Sequence, residues 1–182
     1  MLVAVVGPSG AGKDTLINAA RGLLRAQDKF YFVRRTVTRP ALDVEDHEVI
    51  DERTFVARQE AGAYALTWRA HGLYYGIPTE ITLRSAEGRI VVASLSRTVL
   101  AEAATRFPLH VVEVTAPPDV LARRLAARGR EDAVAIAGRL SRSVRLPAGL
   151  PRDMLMNDGT VEQGGRKLVA ILHRLAAAAP PA

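Results

Sequence analysis

The residues best suited to chemistry stand near the start of the chain, in the run Gly7-Pro8-Ser9-Gly10-Ala11-Gly12-Lys13-Asp14. An apolar stretch, Leu2–Val6, precedes it and an amphipathic stretch follows it. Glycines at this density let successive backbone N–H groups curl around a phosphate, and a helix opening near Lys13 points its positive end at the same anion. A lysine in this place reaches the β- and γ-phosphates of a nucleoside triphosphate, and the Ser or Thr that usually follows gives its hydroxyl to Mg²⁺. Here the residue that follows is Asp14, with Thr15 after it. Two magnesium contacts stay open: the Asp14 carboxylate, a hard oxygen ligand acting directly or through water, or the Thr15 hydroxyl after a one-residue shift. Either way the loop predicts binding of ATP with Mg²⁺.

A second constellation is Arg124, Arg128 and Arg139. Residues four apart share a helix face, so Arg124 and Arg128 point the same way. Arg128-Gly129-Arg130 then breaks the helix, and Arg139 follows about three turns later. Arginines flanking such a hinge can close over a triphosphate and neutralise the transferred phosphoryl group. Arg123 and Arg130 read instead as solvated, paired with nearby acids.

These groups must be held by one domain. The chain has 182 residues and is 48% hydrophobic, enough to bury roughly 70% of its unfolded surface. It has no cysteine, which excludes disulfides and thiolate chemistry. No apolar run approaches the ~20 residues a membrane span needs, and the chain runs from its first residues into a strand, so a cytoplasmic location is expected. The net charge is +6, yet only Lys13, Lys29 and Lys167 are lysines. Arginine's planar fork suits phosphate oxygens. The placing of several arginines favours a pocket for a small polyanion over a nucleic-acid surface.

Strands are expected at Leu2–Val6, Phe30–Arg34, Arg89–Leu95, Leu109–Thr115 and Met154–Met156. Helices are expected at Asp14–Ala26, Asp51–Ala61, Thr79–Glu87, Thr98–Arg106, Pro117–Arg128, Glu131–Leu146 and Thr160–Ala178, before a frayed tail over 176–182. Tyr64–Arg69 and Tyr74–Ile77 read as a hairpin turning at His71-Gly72. Thr36–Glu48, polar and broken by Pro40, reads as a loop. Strands spaced by helices predict an α/β fold, a mainly parallel sheet flanked by helices. The stretch that interrupts this rhythm reads as an inserted lobe beside the carboxyl ends of the strands, where such folds bind ligands. The expected organisation is a single domain, residues 1–182, with a core of 1–34 and 81–182, a substrate lobe at about 35–80 and a lid at about 124–139. The sequence leaves oligomeric state open, a homodimer included.

Taken together, the loop, Thr38-Arg39-Pro40, Tyr74-Tyr75-Gly76, Arg124-Leu125-Ala126-Ala127-Arg128-Gly129 and Arg139-Leu140 resemble the guanylate kinase superfamily over essentially the whole chain. The resemblance implies a P-loop kinase whose lid arginines clamp phosphates. It makes Lys13, Arg124, Arg128 and Arg139 the catalytic candidates and places Asn157, in Asn157-Asp158-Gly159, on the adenine side. The guanine side departs from that pattern. Arg35 stands where those kinases have a serine, Leu42 where they have a second arginine, and His47 where they have a tyrosine. The glutamate beside their tryptophan is lost from Ala65-Leu66-Thr67-Trp68, and Ser94-Leu95-Ser96-Arg97 replaces their paired aspartates. A guanine site missing several buried hydrogen-bonding partners holds its base poorly.

The departures resemble those of the ribose 1,5-bisphosphate phosphokinase family, a branch associated with phosphonate breakdown. The similarity lies in Lys13-Asp14, Glu45-Asp46-His47, Trp68-Arg69-Ala70-His71-Gly72, Tyr75-Gly76-Ile77-Pro78 and Ser96-Arg97. It implies transfer of the ATP γ-phosphoryl group to the 1-phosphate of ribose 1,5-bisphosphate, a sugar bisphosphate acceptor, giving 5-phosphoribosyl 1-diphosphate and ADP. The substrate-side candidates are then Arg35, Arg39, His47, Trp68, His71, Tyr75, Ser96 and Arg97. Guanylate kinase itself and a non-catalytic binding module of the same fold are the alternatives. Replacing Arg39 by Ala is expected to raise the acceptor KM or cut kcat strongly while the protein stays folded; near-normal kinetics would remove Arg39 from the site.

Overall fold

The computed structural model describes residues 1–38, 46–126 and 146–178. Two sheets organise them. The larger is built from β1 (Leu2–Val6), β2 (Phe30–Phe32), β7 (Ile90–Ser94), β8 (Leu109–Thr115) and β9 (Arg152–Met156) in the spatial order β2-β7-β1-β8-β9. All its neighbours pair in parallel. The smaller contains β3 (Thr36–Val37), β4 (Glu48–Val49), β5 (Tyr64–Ala70) and β6 (Leu73–Pro78), in the order β4-β3-β6-β5.

The central strands read as unbroken apolar runs because both faces of the sheet are covered. All five residues of β1 are inaccessible to solvent, and successive side chains leave on opposite faces. Val3 and Val5 pack with α1 (Lys13–Leu24) through Leu16, Ile17 and Ala20, and with α6 (Val161–Ala178) through Leu168 and Leu172. Leu2, Ala4 and Val6 face the opposite way, toward α3 (Glu80–Ala86), α4 (Leu100–Arg106) and the smaller sheet, where Ile81, Leu100, Leu66 and Ile77 meet them. The sheet is thus a layer between two cores, and its carboxyl edge presents the ends of β1, β7 and β8 side by side.

Most expected elements form within a residue or two of their boundaries. Asp51 caps α2 (Glu52–Glu60), its carboxylate accepting from the Thr54 N–H at 2.8 Å, and Gly62 leaves the helix at φ 71°. The β5–β6 hairpin turns at His71 and Gly72, with φ of 53° and 75°. Both signs match the primed turns that suit twisted hairpins. Two expectations are corrected. Thr36–Glu48 is not loop at its ends: Thr36 pairs with Glu48 and Val37 with Val49 in parallel, and β3 also pairs with β6. The side chains fix this polar ladder, Thr36 Oγ1 donating to Glu48 at 2.9 Å while Arg58 grips the same carboxylate at 2.8 Å. Residues 176–178 continue α6 instead of fraying. After α5 (Pro118–Ala126), the helix expected at Glu131–Leu146 falls outside the described residues apart from Leu146, which is not helical. No described helix is long and apolar enough to cross a membrane.

Gly7 sets the exit of β1. Its φ is 151°, and a Cβ there would stand 2.1 Å from the Val114 carbonyl oxygen. Gly7→Ala is therefore expected to lower unfolding stability by at least about 2 kcal/mol through backbone strain and overpacking. Chemical denaturation tests this, and an unchanged midpoint would contradict the close approach.

Candidate active site

The loop between β1 and α1 lies at the carboxyl edge of the sheet, and Gly10 and Gly12 adopt φ of 83° and 86°. Gly12 is the N-cap of α1, so the amide groups of the loop and of the first helical turn converge on one spot, as anion binding requires. The Lys13 ammonium folds over the loop, donating to the carbonyls of Gly7 and Pro8 at 2.9 and 3.1 Å. Asn157, just beyond β9 and buried, donates from Nδ2 to the Ala11 carbonyl at 2.7 Å. A Cβ on Gly12 would lie 2.5 Å from that same nitrogen. Asn157 thus reaches the loop itself, and the role its geometry supports is bracing the nucleotide cradle.

Arg124, on α5, approaches from the other side. Its Nη1 would be 3.9 Å from a Cβ on Gly12. That nitrogen is buried and meets no acceptor among the described residues. Leaving a buried guanidinium N–H unsatisfied is costly, and an anion seated on the loop would supply the acceptor. Arg128 and Arg139, expected to join Arg124, lie outside the described residues, as does Arg39.

Asp14 points across to the smaller sheet. Its Oδ1 and Oδ2 stand 3.2 Å from Nη1 and Nη2 of Arg35, which also donates to Ser94 Oγ at 2.7 Å. Burial pushes the Asp14 carboxyl upward, but Arg35 and Lys13 beside it, with hydrogen bonds from Ser94 and Arg35, outweigh that and hold it below the ordinary aspartate value of 3.8. The group is ionised at neutral pH. Beyond Arg35 the Tyr75 ring lies 5.9 Å from the guanidinium carbon, and Trp68 stacks on Tyr75 at 5.1 Å with planes 3° apart. Trp68 and Tyr75 are direct cross-strand partners in β5 and β6, a separation at which aromatic pairs interact.

Asp14, Arg35 and Ser94 line an open pocket together with Asn18, Arg21 and Asp46. Arg21 is ion-paired with Asp46, which Arg34 also holds at 3.2 Å. His47 is buried beside this pair, and the Arg34 guanidinium reaches its carbonyl. Ser96 instead caps the short 3₁₀ turn at Arg97–Val99, its Oγ accepting from the Thr98 N–H. Arg97 is paired with Glu113 at 3.0 Å. His71 sits exposed in the hairpin turn and Thr15 is exposed on α1. Asn18, Arg21, Asp46 and Glu113 were not among the sequence candidates. Asp46 had a local signal in the Glu45-Asp46-His47 motif, whereas that of Glu113 is tertiary, the register of β1 with β8 setting it against Val6 at the carboxyl edge.

Among the described residues no group of three or more His, Cys, Asp or Glu side chains could hold a metal alone. The oxygens at hand, the Asp14 carboxylate and the Thr15 hydroxyl, fit Mg²⁺ carried mainly by substrate phosphates with one or two protein ligands.

A parallel sheet with a lysine-bearing glycine loop at the carboxyl end of its central strand defines a P-loop nucleotide-binding fold, and the chain's relatives make it a kinase. The guanylate kinase of Anaplasma phagocytophilum superposes with a TM-score of 0.67 over 97% of this chain and 86% of that one, at 14% identity, a likeness of fold. No family model matches the chain. Among relatives, the ribose 1,5-bisphosphate phosphokinase PhnN of Methylobacterium radiotolerans is 47% identical over 173 residues, covering 94% of this chain and 97% of that protein. The one from Acidiphilium cryptum is 47% identical over 174 residues, 95% and 92% of the two chains. The chain belongs to the ribose 1,5-bisphosphate phosphokinase family.

Asn157→Asp keeps the shape of the side chain but turns an acceptor onto the Ala11 carbonyl. The expected cost is roughly 1–3 kcal/mol of stability, with weaker MgADP binding by titration calorimetry. Wild-type stability and affinity together would remove Asn157 as the loop's brace.

Proposed function

We infer that this protein transfers the γ-phosphoryl group of ATP to the 1-phosphate of ribose 1,5-bisphosphate, releasing ADP and 5-phospho-α-D-ribose 1-diphosphate. The reading is carried by the relation to phosphokinases of that name along nearly the whole chain. The pocket agrees with it: the wall beside the phosphate loop offers a guanidinium, a hydroxyl and a carboxylate where a guanine-specific kinase would need a base reader. Residues 35–80 then act as the substrate lobe and 124–139 as the lid.

An oxygen of the acceptor phosphate attacks the γ-phosphorus, and the bond from that phosphorus to the β–γ bridging oxygen breaks as ADP leaves. The attacking oxygen is already anionic, so no strong general base is required. Positioning and charge neutralisation supply the catalysis. Lys13 exchanges its loop carbonyls for β- and γ-phosphate oxygens. Arg124 gives its buried Nη1–H to the same phosphates, with Arg128 and Arg139 as further clamps. The loop of residues 7–13 binds the donor phosphates through its backbone N–H groups, Pro8 alone having none to give, and Asn157 keeps them in register. Asp14 or Thr15 would hold magnesium together with the substrates, and the ion would supply charge neutralisation. Arg35 and Arg39 bind acceptor phosphate, and Tyr75 adds a hydroxyl donor. Trp68, His71 and His47 shape the sugar pocket, and Ser96 and Arg97 border it at the end of β7. A cytoplasmic setting within phosphonate catabolism belongs to the same reading.

The test is incubation with Mg-ATP and either ribose 1,5-bisphosphate or GMP, followed by phosphorus NMR. The expected result is a new diphosphate on the ribose C1 with GMP inert. Rapid GDP formation would overturn the assignment of the acceptor.

A further inference from the structure

We propose that Asp14 is a positioning residue for Arg35: the side chain ending the phosphate loop brackets the acceptor-side guanidinium instead of ligating the metal. The inference rests on the acceptor role of Arg35 proposed above. Asp14, Arg35 and Ser94 are three separate departures from the guanylate kinase pattern, 21 and 59 residues apart along the chain. In the fold they are one contact. Each carboxylate oxygen of Asp14 faces a different terminal nitrogen of Arg35 at 3.2 Å, the fork-on-fork arrangement that fixes a guanidinium in plane and in rotation. Ser94 Oγ accepts from the same Nη1 at 2.7 Å, and Tyr75, backed by Trp68, lies by the guanidinium. The guanidinium is thereby set as a fixed part of the pocket wall beside the loop.

The arrangement also accounts for a carboxylate in a loop built for triphosphate. Alone, Asp14 would repel the donor; paired with Arg35, which is only 14% exposed, it adds no net charge. Removing either partner strips a largely buried charge of its bidentate counter-charge. The two residues therefore work only together, the serine at the end of β7 completing the bracket.

The experiment compares Asp14→Asn, Arg35→Met, the double variant and Ser94→Ala. Three quantities are read on each: the MgADP dissociation constant, the Mg²⁺ midpoint of ADP binding, and acceptor KM separately from kcat. The expected result is that Asp14→Asn raises acceptor KM by about tenfold or more, as loss of a hydrogen-bonded charge partner does. Its Mg²⁺ midpoint stays within about twofold, below the resolution of a lost ligand. The double variant is no worse than the poorer single, the signature of coupled residues. A Mg²⁺ midpoint raised in Asp14→Asn with acceptor KM unchanged would overturn the proposal, and so would additive losses. If Asp14→Asn fails to bind nucleotide, Ser94→Ala decides. Raised acceptor KM with normal MgADP affinity supports the bracket, and unchanged KM overturns it. Failure of the unaltered protein to use ribose 1,5-bisphosphate would overturn the proposed function instead, and is distinguished by preceding any substitution.

Discussion

The approach of the Gly7 backbone to the Val114 carbonyl, closer than any side chain permits, is the constraint on which the carboxyl edge of this molecule depends. It lets β1 leave the sheet hard against β8 and turn at once into the glycine loop. Asn157, reaching from the end of β9, then takes the Ala11 carbonyl and holds the loop open. Two strands on one side of β1 thus fix the curvature of a segment whose only buried hydrophobic side chain is Ala11. The first turn of α1 inherits its direction from that curvature, and so do Lys13 and Asp14.

From Asp14 the order passes to the other sheet. The Asp14–Arg35–Ser94 contact ties the donor loop, the segment entering β3 and the end of β7 into a single polar joint. The joint is charge-balanced, so it can sit beside a polyphosphate without opposing it. Its aromatic backing comes from a pair of cross-strand partners whose register is set by the hairpin turn at His71 and Gly72. Short-range turn chemistry in the smaller sheet thus sets the aromatic surface beside a cation that Asp14 and Ser94 hold.

How far this was legible in the sequence follows from the range of each interaction. The phosphate loop, the apolar strands and the Asp51 cap are local patterns, and their residues alone predict them. The fully buried strands were recognisable because burial on both faces removes polar alternation. β3 and β4 were not, since two-residue strands carry no period and are held by Thr36, Glu48 and Arg58 through contacts that a polar string does not announce. The bracing role of Asn157 was invisible for a like reason, its partner Ala11 being 146 residues away. Asp14 and Arg35 each stood out as departures. That they answer one another is a fact of three dimensions.

The chain contains one tryptophan, and the fold has placed it face to face with Tyr75, whose ring in turn lies by Arg35. An indole in that position is an optical reporter behind the aromatic backing of Arg35. A change in charge or solvent beside Tyr75 alters the electronic surroundings of Trp68, with no second indole to dilute the signal. The protein's own emission therefore reports on this corner of the fold without label or coupled enzyme.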